Sequence, residues 1–240
     1  MPETRLPASR RKIDKAGDLV RAWWLDPDAP TELLDIDADL RDAAVLVYRY
    51  RVGFQDPLNR VTMGVRSFVK RESKKIIVAQ RLKRFPTILG KLSRYPQMKL
   101  TRMQDIGGCR AILPGGEREI RGVLQRIKRH WDVRRLDDYI NSPKETGYRA
   151  IHVAVVRRGR LIEIQLRTPG QQEWAALVDQ TSGRLGFMLK DGQGPPELVR
   201  YFERAAFAIA LQEGGQSPDK SFEREFDDLR KQVREYFRRS

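Results

Sequence analysis

Two carboxylates stand in the most basic part of this 240-residue chain. Asp105 precedes a short apolar stretch, and Glu163 lies inside another, where Leu161 and Gln165 share its face if the stretch is a strand. Two carboxylates from different strands can hold Mg²⁺ against phosphate oxygens. We therefore expect Asp105 and Glu163 to form a metal site; the alternative is that each pairs with a nearby arginine.

Three cations come before Asp105 at a spacing that suits a triphosphate. Arg81 and Lys83 are two residues apart, on one face of an expected strand, and Lys91 lies in the helix expected after it. Charged donors of this kind bind phosphate, and arginine can do so bidentately. We expect Arg81 and Lys83 to bind ATP. Arg84 and Arg94 are expected to be solvated surface residues without a ligand.

The charge distribution points to a polyanionic partner. The chain has a net charge of +15 and a pI near 10.2. Residues 81–168 contain 21 basic and 8 acidic side chains, so a surplus of 13 lies in the middle of the chain. Such a concentration indicates nucleic acid or clustered phosphates as the ligand. A soluble basic protein without a special ligand is the weaker interpretation.

Composition excludes several other classes. The hydrophobic fraction of 40% is enough for a packed core, and no run of eighteen apolar residues predicts a transmembrane helix. The basic N-terminus lacks the apolar segment of a secretory signal. The single cysteine, Cys109, excludes an internal disulfide and favours a reducing cytoplasm.

The hydrophobic patterns predict strands alternating with helices. Residues 1–38 look loosely organised, with one short helix and turns, and 39–77 look helical with a break at Pro57. Strands are expected at 76–82, 109–113, 131–136, 151–156 and 161–166. Helices are expected from Pro86, around 120–127, and at 171–182, 196–212 and 219–238. The apolar stripe of the last helix predicts docking on the domain, or else a partner protein.

Four stretches, in order over about 90 residues, resemble the synthetase domain of the RelA/SpoT family. They are RLKRFPTILGK (81–91), DIGGCR (105–110), DYINSPKETGYRAIH (138–152) and EIQLRT (163–168). Any one of them is a weak signal, and their common order and spacing is a strong one. The resemblance covers roughly residues 75 to 185.

The resemblance implies a role for each matched residue. Asp105 and Glu163 would hold Mg²⁺, and Glu163 would also activate the acceptor hydroxyl. Tyr148 would stack on the acceptor base. ATP would be bound by Arg81, Lys83, Thr87, Lys91 and Arg110. The other acceptor contacts would come from Lys144, Arg149, His152, Gln165 and Arg167. Gln165 and Arg167 also lie on the strand face of Glu163, where they would orient it.

The resemblance also implies a fold. We expect an α/β (α+β), nucleotidyltransferase-like domain, in which helices flank a mixed central sheet of about five strands. The expected organisation is a helical N-terminal extension (1–74), a pyrophosphokinase core (75–185) and a helical C-terminal extension (186–240). Only two histidines are present, so we do not expect the His–Asp metal site of the longer family members. We therefore expect the chain to synthesise its product without hydrolysing it.

The loop within residues 138–152, which the resemblance assigns to the acceptor and which we call the acceptor loop, departs from the family pattern. Thr146 stands where the family usually has asparagine, which pairs with a purine edge through both a donor and an acceptor. Glu145 adds a negative charge where acceptor phosphates would approach. Together with the basic surplus, these residues favour tRNA over GDP or GTP, because an acceptor stem offers many phosphates. Arginines of the hairpin at 157–160 would then contact the stem.

The resemblance implies a pyrophosphokinase, and three functions stay open. The favoured one is transfer of the β,γ-pyrophosphate of ATP to the 3′-terminal adenosine of tRNA, as in a translation-inhibiting toxin with a neutralising antitoxin protein. The alternative is a small alarmone synthetase of the stringent response, making (p)ppGpp or (p)ppApp from guanine or adenine nucleotides. A non-catalytic RNA-binding relic is the third, and it would not need paired acids in a basic groove.

Overall fold

The computed structural model describes residues 5–29, 36–69 and 76–239, in which helices flank one five-stranded sheet. The strands are β1 (Ile77–Leu82), β2 (Gly107–Ile112), β3 (Val133–Asp138), β4 (Ile151–Arg157) and β5 (Arg160–Arg167). The helices are α1 (Arg10–Leu25), α2 (Ala38–Val52), α3 (Gln55–Val69), α4 (Phe85–Arg94), α5 (Gly116–His130), α6 (Pro169–Leu185), α7 (Pro196–Glu213) and α8 (Lys220–Arg239). Short 3₁₀ helices occupy Leu100–Arg102 and Leu189–Asp191.

The sheet has the order β1-β2-β5-β4-β3 and is mixed. Only β2 and β5 run parallel, and the other neighbours are antiparallel. The β4–β5 hairpin closes at Arg157 and Arg160, through Arg158 and Gly159, both with positive φ. The expected mixed sheet of five strands flanked by helices is confirmed.

The two faces of the sheet have different environments. On one face, Ile162, Ile164 and Leu166 of β5 are fully buried in a core shared with the apolar residues of α3 and α5. On the other face, Glu163 and Gln165 are only half-buried. The period-2 alternation of a strand thus separates a packing face from a polar face within one short sequence.

Helix α1 corrects the expectation that residues 1–38 are loosely organised. The Ser9 side chain accepts a hydrogen bond from the Lys12 N–H and caps a 16-residue helix. Ile13, Ala16 and Val20 lie on its buried face, at helical spacing. The few apolar residues sit among many charges, which hid the pattern; residues 30–35 lie outside the described part of the chain.

The expected helical region 39–77 contains two helices, but the break at Pro57 was wrong, and the last residue of the region, Ile77, belongs to β1. The chain turns at Gly53 and Phe54, and Pro57 lies in the first turn of α3, where proline needs no N–H partner. The part of this prediction that falls on residues 70–75 lies outside the described residues. Helices α1–α3 share one core with the sheet.

Helices α6, α7 and α8 form a second apolar cluster. Helix α8 packs on α7 through buried Phe222 and Leu229, and Phe226 stacks on Tyr201 with ring centroids 5.3 Å apart. The expected docking of α8 is therefore confirmed. Among the described helices, none has the length and apolar character needed to cross a bilayer.

Candidate active site

The sheet register places the expected site residues side by side on its polar face. Residues paired across neighbouring strands point to the same face. Two rows result, which are Arg81–Gly108–Glu163 and Arg110–Gln165–His152. Because Gly108 has no side chain, the first row leaves a hollow between Arg81 and Glu163.

Asp105 is held by two lysines. Lys83 Nζ lies 2.7 Å from Oδ2 and Lys91 Nζ lies 2.9 Å from Oδ1. Burial raises the pKa of Asp105, but the two ammonium groups outweigh it and bring the pKa below its ordinary value. Asp105 is therefore ionised at neutral pH, and it holds two cations, of which Lys83 lines the hollow.

Glu163 belongs to a closed ring of hydrogen bonds between side chains. Its Oε1 atom accepts from His152 Nδ1 (3.1 Å), and its Oε2 atom accepts from Gln165 Nε2 (2.7 Å). Arg167 donates to Gln165 Oε1 (3.0 Å) and to the Tyr148 hydroxyl (2.6 Å). The Tyr148 hydroxyl lies 2.6 Å from His152 Nε2, which closes the ring.

The ring keeps the Glu163 carboxylate charged. Burial and the nearby Asp105 charge raise the pKa of Glu163, but the contacts from His152 and Gln165 lower it more. Because an ionised carboxylate only accepts hydrogen bonds, the Nδ1 atom of His152 carries a proton in this contact. Glu163 is thus oriented from two sides and is available as a proton acceptor.

Tyr148 is buried, at 5% exposure. Its ring contacts Trp174 (centroids 6.1 Å apart) and Tyr139 (5.7 Å), and its pKa is raised, mainly by burial. Trp174 itself donates to the Phe202 carbonyl and is buried. In this conformation the Tyr148 ring has no open face on which a base could stack.

A cationic hollow of about 180 Å³ lies between β1, β2 and β5, and its lining includes Arg81, Lys83, Asp105, Arg110 and Glu163. The pKa of Arg110 is lowered, first by burial and then by the nearby charges of Arg167 and Arg81. Among the described residues, no acceptor lies within hydrogen-bonding distance of Arg110 Nε. An anion entering here would therefore find charge that the protein does not neutralise.

A second hollow of about 640 Å³ lies between the end of α4, the acceptor loop and the segment after α6. Lys144, Thr146 and Lys190 are among its lining residues. The Thr146 hydroxyl donates to the Lys190 carbonyl (3.3 Å), so the Thr146 side chain contacts the segment between α6 and α7. The sequence patterns missed Lys190, because it lies outside every matched stretch.

Several residues expected to bind ATP or the acceptor line neither hollow, among them Lys91, which is paired with Asp105, and Tyr148, His152 and Arg167 of the hydrogen-bonded ring. Thr87 is exposed in the first turn of α4, and Arg149 is half-buried beside Tyr148; neither lines either hollow. The expectation that the hairpin presents Arg160 on its surface was wrong. Arg160 is 3% exposed, and its guanidinium lies 5.1 Å from the Tyr50 ring centroid and 5.3 Å from that of Phe54.

The two acids fit a Mg²⁺ ion that is completed by substrate oxygens. Both carboxylates line one hollow, and the charge of Asp105 acts on Glu163 there, although His152 and Gln165 keep the pKa of Glu163 below its ordinary value. Mg²⁺ commonly binds one or two carboxylates together with waters and phosphates. No cluster of three or more acids, histidines or cysteines occurs in the described ranges, so an all-protein cage is not formed there.

The polar face of the mixed sheet thus combines acids that suit Mg²⁺ with cations that suit phosphate. Residues 80–181 match the family described as "Region found in RelA / SpoT proteins". This part of the chain is therefore similar to the region that RelA and SpoT proteins share.

Relatives of known sequence cover part of the chain. An uncharacterized protein of Mycobacterium tuberculosis is 32% identical over 128 residues, which are 52% of this chain and 46% of that protein. The GTP pyrophosphokinase YwaC of Bacillus subtilis is 34% identical over 113 residues, which are 40% of this chain and 53% of YwaC. The chain therefore spans about half the length of these curated relatives.

Solved structures share the fold. Small alarmone synthetase 1 of Bacillus subtilis, bound to its product pppGpp, superposes with a TM-score of 0.59 at 24% identity, covering 70% of this chain and 93% of the other. Small alarmone synthetase 2 of the same organism gives a TM-score of 0.58 at 24% identity, covering 69% and 93%. At this identity the likeness shows the fold alone.

Proposed function

We propose that the chain is a pyrophosphokinase that transfers the β,γ-pyrophosphate of ATP to the 3′-hydroxyl of a guanine nucleotide, as an alarmone synthetase does. The observation that carries this proposal is the Glu163 carboxylate, oriented by His152 and Gln165 beside a hollow lined by Arg81 and Arg110. The similarity to a GTP pyrophosphokinase supports guanine nucleotides as acceptors.

The residues divide the reaction between them. Glu163 accepts the proton of the 3′-hydroxyl while the 3′-oxygen forms a bond to the β-phosphorus of ATP. The bond from that phosphorus to the bridging oxygen breaks, and AMP leaves with the electron pair. Arg81, Arg110 and Lys83 stabilise the charge on the transferred phosphates. Mg²⁺ held by Asp105 and Glu163 would neutralise phosphate oxygens.

Transfer to tRNA is the second candidate, and the surplus of 13 positive charges in residues 81–168 favours it. Such an enzyme would act as a toxin and would need a neutralising protein. Two observations weaken this candidate. The Thr146 side chain contacts the Lys190 carbonyl, so its place in the loop has a structural reason. Part of the basic surplus is buried, as Arg160 is, and cannot contact an acceptor stem. We therefore place the free nucleotide first.

Label transfer separates the candidates. The purified chain is incubated with γ-³²P-labelled ATP, Mg²⁺ and GDP, GTP, AMP or bulk tRNA at equal acceptor concentration and physiological salt. We expect label on GDP and GTP, and a Glu163→Gln variant prepared identically serves as the control for contaminating kinases. Label on tRNA with none on GDP or GTP would replace the proposed acceptor by tRNA.

A further inference from the structure

Lys190 approaches the acceptor loop from the C-terminal side of the fold. Its carbonyl accepts the Thr146 hydroxyl, and its Nζ atom lies 6.0 Å from the centroid of the Tyr148 ring. Lys144, in the acceptor loop itself, places its Nζ atom 5.7 Å from the same centroid. Two lysines from distant parts of the sequence thus flank one buried tyrosine.

The charge around Lys190 is mostly positive. Its pKa is lowered by burial first, while the Asp179 contact raises it and the charges of Arg167 and Arg110 lower it further. Its ion-pair partner is Asp179, at 2.6 Å, whose side chain is 63% exposed. A pair with so exposed a carboxylate contributes little free energy, so a phosphate could replace it at small cost.

The hollow beside Lys190 is separate from the hollow that is lined by residues expected to bind ATP. Lys190 and Lys144 line the hollow of about 640 Å³, whereas Arg81 and Lys83 line the one between the strands. A volume of this size is in the range of small-molecule sites. Glu145 and Asp191 also line it, so its charge is mixed at the rim.

We propose that Lys190 is a specificity-determining residue that binds the 5′-phosphates of the acceptor nucleotide. This inference rests on the proposed function, since it names the acceptor side of the same site. Together with Lys144, Lys190 makes the affinity rise with the number of acceptor phosphates. The segment between α6 and α7 then takes part in substrate recognition, in addition to its packing role.

Equilibrium binding tests this without turnover. Calorimetry is used to measure the Kd of GMP, GDP and a non-hydrolysable ATP analogue for the wild type, Lys190→Met and Lys190→Arg. The matched control is Lys220→Met, which changes an exposed lysine at the start of α8. We expect GDP binding to weaken about tenfold or more in Lys190→Met, since a charge-assisted contact is lost. GMP should weaken less, the ATP analogue should change by less than about twofold, and Lys190→Arg should restore most of the affinity.

Asp179→Asn provides a second variant if Lys190→Met does not fold. It removes the competing carboxylate, so GDP should bind tighter, by about two- to threefold. Unchanged GDP affinity in both variants, or a larger loss for the ATP analogue than for GDP, overturns the role of Lys190. If the wild type binds GDP in this way but transfers no label to it, the proposed function fails and the binding role of Lys190 stands.

Discussion

The Nδ1 atom of His152 lies 3.1 Å from the Oε1 atom of Glu163 on the neighbouring strand, while its Nε2 atom lies 2.6 Å from the Tyr148 hydroxyl. Both ring nitrogens are therefore engaged within the protein. The sequence predicted that His152 contacts the acceptor, which stays a prediction; from this geometry we infer that His152 also positions Glu163. Gln165 and Arg167, which were expected to orient Glu163 as well as to contact the acceptor, complete the same ring of hydrogen bonds.

Replacing Glu163 by glutamine tests the proton acceptor. We expect transfer to fall by about 10²–10⁴-fold, because an amide cannot accept the hydroxyl proton. The shape is kept, so the unfolding temperature measured by circular dichroism should change little. Glu117→Gln, on the exposed side of α5, removes an acid elsewhere and should leave transfer intact. A folded Glu163→Gln variant with near wild-type turnover rules out this role for Glu163.

Asp105 should make stability depend on pH. Its pKa in the folded chain lies below the ordinary value of 3.8, because Lys83 and Lys91 outweigh the effect of burial. A depressed pKa stabilises the fold above the unfolded-state pKa, and this contribution is lost as the pH falls through the lower, folded-state pKa. Urea unfolding of the wild type and Asp105→Asn should therefore differ at pH 7 and converge below about pH 3.8.

The control for this experiment is Asp228→Asn, whose ion pair with Lys231 is largely exposed on α8. Its unfolding free energy should stay within about 0.5 kcal/mol of the wild type at every pH. A difference between wild type and Asp105→Asn that is the same at pH 7 and at pH 3 contradicts the ionised pair.

Arg81→Ala and Lys83→Ala should weaken ATP more than the acceptor. Both side chains line the hollow between β1, β2 and β5, and the loss of one charged phosphate contact costs about 1.5–3 kcal/mol. Calorimetry with a non-hydrolysable ATP analogue and with GDP measures the two affinities. Arg134→Ala, an exposed cation of β3, is the control. Unchanged ATP affinity in both variants would assign the phosphates to other cations.

The strands that carry these residues were predictable, whereas their surroundings were not. The alternation in 161–166 placed Glu163 and Gln165 on one face, as β5 does. Tyr148, however, owes its burial to Trp174 in α6 and to α7, which follow it by tens of residues. No local pattern encodes such contacts. For the same reason Lys190, in a glycine-rich segment without a motif, could not be recognised as part of the site.

Tyr148→Phe should separate the hydroxyl of this residue from its ring. The change removes the oxygen that binds Arg167 and His152, and leaves their polar groups without that partner in a buried region. We expect a loss of about 1–3 kcal/mol in the free energy of unfolding, measured in urea, together with slower transfer. Full stability with normal transfer in Tyr148→Phe would mean that the ring of hydrogen bonds does not support Glu163.

Gly147 couples the acceptor loop to α7. Its φ of +84° is unfavourable for other residues, and an added Cβ would lie 2.6 Å from Ala206 Cβ and 3.3 Å from the Glu203 backbone. Gly147→Ala should destabilise the chain by about 1–3 kcal/mol and weaken GDP binding more than ATP binding, because the loop must move away from α7. Chemical unfolding and calorimetry measure the two effects.

Gly183→Ala is the matched control, since this glycine lies in α6 with a helical backbone and open space around its Cβ position. There alanine should be neutral or stabilise by up to about 1 kcal/mol, through its helix propensity and the smaller entropy of the unfolded chain. If Gly147→Ala matched this control in both stability and GDP affinity, the loop would not depend on α7 for its conformation. Equal losses for GDP and ATP would instead indicate a general loosening of the fold, without a specific link between α7 and the acceptor.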